Sequence, residues 1–373
     1  MRIPPFRIER YYDRYEFTAR YMLSSSDAES RSVSELLALE PEAERRLGAL
    51  RLGYTEARGA PPLRAQVSRV YDGLAPEDTL VCSSAEEGIF LVYHSLLGPG
   101  DHAVVETPCY QSALELARST GADVSTWSRH YEDGWAHDLD ALERLLRPTT
   151  RVVYLNSPHN PTGLIMPTEV LERVVELSRE HGFTIFSDEV YRELEHDPAA
   201  RLPAACELSP TAISLGSISK SYGLPGLRLG WLASHDHEAL ERAVDLKHYT
   251  SICSSGPSEL LTELALKHRE TLTERNLAIV RRNLPLLDAF LERRAGWFEW
   301  VRPNGGPIGF VRVKTGEDVD AFCARVLAGA DVLLLPGSVY DQPGFVRVAY
   351  GREDMPEALA ALERYLDADA VGS

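Results

Sequence analysis

Short apolar runs recur along the chain between Thr79 and Ser234, each closed by Ser, Pro, Asp or Gly. Residues 79–84, 102–108, 151–158, 183–189, 212–217 and 228–234 are apolar without a helical period and too short for helices. They read as buried strands bounded by turn residues. The stretches 86–97 and 167–182 place apolar residues three and four apart, the spacing of a helix with one buried face. Strands alternating with helices predict an α/β layer around a mostly parallel sheet. After about Ser255 the pattern changes. Helical spacing runs from Pro257 to Arg294, strand-like runs follow at 305–313 and 345–351, and a last helix is expected near Pro356–Leu366. This predicts a smaller α+β unit, with the chain divided into a large domain at 40–265 and a small one at 1–39 and 266–373.

Composition narrows the picture. A chain of 373 residues exceeds what one core serves, and 44% hydrophobic with 25% charged residues excludes a disordered or fibrous chain. The formal net charge of -17 argues against nucleic acid or an anionic membrane as the main partner. Cys82, Cys109, Cys206, Cys253 and Cys323 are far apart with no CxxC pair, which points away from a disulfide framework or a metal site and toward a reducing cytoplasm. The N-terminal residues show no apolar signal core, and no run approaches a membrane span. A soluble cytoplasmic protein is expected.

Several segments carry chemistry. Ser217–Gly230 follows a strand and combines serines, glycines, Lys220 and Arg228. A lysine at a buried strand end can lose affinity for its proton and act as a nucleophile, while hydroxyls and a guanidinium suit a phosphate. Asp188 and Tyr191 close the strand before it, and Asn156–Gly163 is a turn after another. Ser84-Ala85-Glu86-Glu87 has the spacing of a capping box, and the helix start it marks also offers free N–H groups to an anion. Arg347 lies in an apolar strand, where an unpartnered charge is costly.

Together these segments resemble the class I and II aminotransferases, pyridoxal-phosphate (PLP) enzymes of fold type I. The matching patterns, in family order, are Y-T-x-x-x-G at 54–59, P-x-Y at 108–110, N-x-P-x-N-P-T-G at 156–163, D-E-x-Y at 188–191 and S-x-S-K-x-x-G-x-x-G-x-R-x-G at 217–230. The resemblance implies an aspartate-aminotransferase-like fold, a large domain with a seven-stranded sheet and a smaller α+β domain. It implies PLP held as a Schiff base on Lys220, which later serves as base at the substrate Cα. Asp188 would face the ring nitrogen, Tyr191 and Asn160 the ring oxygen, and Tyr110 would stack on the ring. Ser84, Ala85, Glu86, Ser217, Ser219 and Arg228 would hold the phosphate, the Glu86 side chain turned away. Tyr54 would reach the phosphate of a neighbouring subunit, so a homodimer with composite sites is implied. Arg347, with Arg312 and Arg352 as rivals, would bind the substrate carboxylate, beside Asn160 and Ser25. No metal is implied.

The chain departs from the family pattern in places. Ser84 and Ala85 stand where glycine is common, and His159 where asparagine is common. Leu23–Glu29, with Ser24, Ser25 and Ser26, replaces a glycine-containing segment and is similar to capreomycidine synthase, a PLP enzyme that cyclises a hydroxylated arginine. Two reactions therefore stay open: amino transfer between an L-amino acid and a 2-oxo acid, and lyase or cyclase chemistry on a substituted amino acid. In the second, Asp27 or Glu29 would hold a cationic side chain. A DNA-binding regulator of this fold needs a basic module, for which the residues before Tyr54 give no room.

Overall fold

The computed structural model describes residues 3–372. The apolar runs pair into one sheet of seven strands: β1 (Thr79–Cys82), β2 (His102–Thr107), β3 (Asp123–Ser128), β4 (Thr150–Asn156), β5 (Thr184–Asp188), β6 (Ile213–Ser217) and β7 (Gly230–Ala233). Their order is β1-β7-β6-β5-β4-β2-β3. The β2–β6 block is parallel, and β7 runs antiparallel to both of its neighbours. Helices cover the sheet, which is why β1, β4, β5 and β6 are apolar on both faces. The edge strand β3 escapes the apolar pattern because only Trp127 in it is buried.

The helix Thr168–His181 illustrates how sequence sets an element. Val170, Leu171, Val174, Val175 and Leu177 share its buried face, and Gly182 ends it in the left-handed conformation (φ 74°). The parallel strands deliver Asn156, Asp188 and Ser217 to one end of the sheet, with Asn156 in register with Asp188. Carboxyl ends of strands are where open α/β sheets bind ligands.

The second sheet is antiparallel, of four strands in the order β10-β11-β9-β8: β8 (Phe298–Trp300), β9 (Ile308–Val313), β10 (Leu335–Pro336) and β11 (Phe345–Ala349). The N-terminal segment is built into it. Tyr21 bridges to Val332, Ala349 N donates to Leu23 O at 3.0 Å, and Ile8 of the helix Arg7–Tyr15 packs with Phe310, Tyr340 and Phe345. The helical pattern from Pro257 to Arg294 is two helices, Gly256–Lys267 and Arg269–Arg293, parted at His268 (φ −111°, ψ 24°). The break lets each serve its own core. Leu261, Leu264 and Ala265 pack with Val81 and Trp231 of the large sheet, whereas Val280, Leu284 and Leu287 pack with Val311 and Val346 of the small one.

Candidate active site

The end of β5 places Asp188 beside a cavity of about 140 Å³. Asp188 is 6% exposed. Its carboxylate accepts from the Tyr154 hydroxyl at 2.9 Å and from Val190 N at 3.2 Å. Burial raises its pKa to about 6, while these donors and the Lys220 charge pull the other way. Asn156 braces the neighbouring loop: Nδ2 donates to Asp188 O at 2.9 Å, and Oδ1 accepts from Asn160 N at 2.7 Å.

Lys220 follows β6 and faces the same cavity. Burial lowers the pKa of its amine, with Asp27 opposing that shift and Arg347 adding to it. Nζ donates to Ser26 Oγ at 2.8 Å. Ser84, Ala85, Glu86, Ser217, Ser219 and Arg228 line the cavity as well. Ser84 caps the helix Ala85–Leu96, its Oγ accepting from Glu87 N at 3.2 Å. Glu87 reaches back to Ser83 N at 2.6 Å rather than to Ser84, so the box closes one residue early. The first helical N–H groups and the positive end of the helix dipole thus open on the cavity. Arg228 donates to Pro225 O at 3.0 Å and has no carboxylate partner among the described residues. Gly230 allows this crowding, since a Cβ there would sit 2.6 Å from Ala85 N.

Behind Asn160, which lines the cavity, a second wall is built from β11 and the N-terminal segment; Ser26 of that segment reaches the lining, whereas Arg347 touches it through Asn160. Arg347 is 1% exposed. Its guanidinium donates to Ser24 O, to the hydroxyls of Tyr12 and Tyr340 at 2.6 and 2.5 Å, and to Asn160 Oδ1 at 3.2 Å. Among the described residues no carboxylate neutralises it. The rivals are otherwise engaged: Arg352 pairs with Asp27 at 3.1 Å, and Arg312 sits at the surface with Glu299 at 3.4 Å.

Of the residues singled out from sequence, the fold brings Lys220, Asp188, Tyr191, Tyr110, Asn160, Ser84, Ala85, Glu86, Ser217, Ser219 and Arg228 to one cavity. Tyr110 lies at its edge, its hydroxyl donating to Glu9 Oε1 at 2.5 Å. The Glu86 carboxylate accepts from Ser112 Oγ at 3.1 Å, and burial raises its pKa to about 7. Tyr54 stands elsewhere, 93% exposed. Ser25 Oγ bonds Asp27 at 2.5 Å and receives Arg352, so it is Ser26 that meets the lysine. Glu29 is spent on Glu353 N at 2.9 Å. His159 is buried between Thr162 and Pro108 O, and burial lowers its pKa to about 3. Lys247 is tied to Ala57 O and Val81 O at 2.7 and 2.8 Å and does not line the cavity.

Sequence reading missed Tyr154, Tyr12 and Tyr340, and from the triple serine it took Ser25 where Ser26 meets the lysine. Tyr154 sits inside an apolar strand and carried a signal, because a buried phenol needs an acceptor. Tyr12 and Tyr340 come from distant segments and carried none.

The donor set fits one kind of group. Asp188 is a buried anion lacking a paired cation, Lys220 is an amine of depressed basicity, and Arg228 with the capped helix start is an anion seat; an aromatic cation bearing an aldehyde and a phosphate meets all three. The comparisons agree. The family model for aminotransferase class I and II matches residues 23–362. The chain belongs to this family. A capreomycidine synthase of Streptomyces vinaceus is 30% identical, covering 99% of this chain and 96% of its own. An aspartate aminotransferase of Thermotoga maritima is 30% identical over 88% of each chain. A PLP-dependent aminotransferase from Streptococcus suis superposes with a TM-score of 0.93 at 34% identity, over 99% of both chains. A PLP-dependent cyclase, OrfR, superposes with a TM-score of 0.90 at 27% identity, over 99% of this chain and 98% of its own. The fold is therefore that of the PLP-dependent aminotransferases, and pyridoxal phosphate is the cofactor.

Proposed function

We propose that the chain transfers an amino group between an L-amino acid and a 2-oxo acid. The observation that carries this is Lys220 and Asp188 on one cavity, with the unneutralised Arg347 bonded to Asn160 of its lining. Bound pyridoxal phosphate supplies an electron-poor ring that accepts electron density from the substrate Cα. Lys220 Nζ would be the attachment amine and, once freed, would move the Cα proton. Asp188 would keep a proton at the ring nitrogen. Tyr191 and Asn160 would hold the ring hydroxyl, and Tyr110 would support the ring. Arg228, the hydroxyls of Ser84, Ser217 and Ser219, and the N–H groups of Ala85 and Glu86 would hold the phosphate. Arg347 receives the substrate carboxylate as a planar fork, aided by Asn160. Ser25 shapes this wall through Asp27 and Arg352. In this reading the wall belongs to a small domain (1–39 and 266–373) docked on a large one (40–265).

Cyclase or lyase chemistry is the second reading, favoured by the full-length likeness to capreomycidine synthase and OrfR and by the serine segment at Lys220. One experiment separates the two. The protein is mixed with single amino acids and no oxo acid, and products are counted. One 2-oxo acid per site, then arrest, is the expected result. Many turnovers without an acceptor would replace amino transfer with the second reading.

The active unit is read as a cytoplasmic homodimer. Its support is an apolar surface patch: Leu52, Tyr54, Tyr249 and Ile252 are 85%, 93%, 90% and 53% exposed, on two loops joined by Thr55 Oγ1 to Ser254 O at 2.9 Å. Tyr54 would then meet the partner's phosphate. The five cysteines are free thiols, which suits a reducing compartment. Replacing Leu52 and Tyr249 together by Asp should yield monomers in analytical ultracentrifugation; an unchanged dimer would place the interface elsewhere.

A further inference from the structure

The segment 23–29 is lashed to the small-sheet unit at both ends. Arg347 donates to Ser24 O at 2.8 Å, Ser25 and Arg352 fix Asp27, Glu29 N donates to Gly351 O at 2.8 Å, and Glu353 N donates to Glu29 Oε2 at 2.9 Å. The same segment presses on the loop of the lysine. A Cβ on Gly223, which has φ +68°, would come within 2.5 Å of Glu29 O. Ser26 is thereby carried from one unit to the lysine of the other, and Lys220 Nζ donates to its Oγ at 2.8 Å.

We propose that Ser26 positions the free Lys220 amine for proton transfer, a role that rests on the amino-transfer reading above. A lysine side chain has many rotamers, and fixing one costs entropy that a defined partner offsets. A neutral amine has two N–H bonds and one lone pair. Committing an N–H to Ser26 restricts where the lone pair points, and the bonds that hold segment 23–29 at both ends fix the serine. Because Ser26 rides on the segment that also bonds Arg347, the seat for the amine and the seat for the substrate carboxylate are set by one piece of chain.

The test compares wild type, Ser26→Ala and Ser26→Thr. In the cofactor-free protein, labelling of Lys220 by acetic anhydride is followed against pH by peptide mass spectrometry. In the holoenzyme, loss of the Cα deuteron from a labelled amino acid is timed. Ser26→Ala should label Lys220 faster and slow deuteron loss about tenfold, the worth of one hydrogen bond, with KM little changed. Ser26→Thr, which keeps the hydroxyl, should restore both. Wild-type labelling and wild-type deuteron loss in Ser26→Ala would overturn the proposal. A merely structural serine would alter stability and KM and leave Lys220 labelling untouched. If wild type releases no deuteron from any amino acid, the amino-transfer reading falls, while the labelling arm still decides whether Ser26 holds the amine.

Discussion

Two buried carboxylates flank Asn156 on the large sheet, and their surroundings are opposite. On the β2 side, Glu106 receives Arg129 Nη1, His137 Nε2 and Asn156 N, each at 2.9 Å. Burial alone would raise its pKa, but the His137 bond and the nearby positive charges carry it well below the ordinary value. On the β5 side, Asp188 has a phenol and one backbone N–H, and burial wins, raising it to about 6. Asn156 bonds both, through its N–H to Glu106 and its side chain to the Asp188 carbonyl. A carboxylate whose charge is matched inside the protein is scaffold. One kept short of a cation beside a cavity is set up to receive one.

This contrast can be broken at either end. Asp188→Asn should leave the fold intact and slow amino transfer on the order of 10³-fold or more, because a neutral amide cannot hold the ring-nitrogen proton. Steady-state rates with a good donor would show it, and a loss below tenfold would remove Asp188 from its assigned place. Glu106→Gln should do the reverse. It strands Arg129 in the interior and should cost about 3–5 kcal/mol in denaturant unfolding, with the rate per folded molecule much less affected.

A third, half-buried carboxylate sharpens the comparison by pH. The pKa of Glu86 is raised from 4.5 to about 7, mainly by burial. The folded protein therefore keeps a proton that the unfolded chain has released across this window. Stability from this group is full below about 4.5 and drains as pH rises to about 7. In Glu86→Gln the drain is absent, so the cofactor-free variant should gain up to about 3 kcal/mol on wild type over that range. Thermal unfolding at stepped pH reads it, and a difference that does not vary with pH would contradict the assignment. The smallest effect is expected of Tyr154→Phe. Its hydroxyl lowers the Asp188 value, so losing it should move the acid limb of the pH–rate profile to higher pH, with a rate loss of about tenfold or less.

Much of this architecture was legible in the chain. The strands β4, β5 and β6 are continuous apolar runs because they are covered on both faces, and the residues at their ends were visible as Asn156, Asp188 and Ser217. The family patterns picked out Lys220 and Arg228. The edge strand β3 was hidden because exposure removes the apolar signature, and the break at His268 because a helical period persists through a change of packing partner. Among three arginines, only strand pairing separates Arg347, turned inward beside Asn160, from Arg312 at the surface and Arg352 on Asp27.

The sequence by itself determined the α/β alternation, the motif lysine Lys220 and the strand-end carboxylate Asp188, because periodicity and short-range motifs are written in neighbouring residues. Only the tertiary structure decided that Ser26 rather than Ser25 meets Lys220, that Tyr12 and Tyr340 frame Arg347, and that Glu106 is neutralised while Asp188 is not. Those outcomes depend on contacts between segments tens to hundreds of residues apart, where burial and the geometry of a few hydrogen bonds outweigh any local preference.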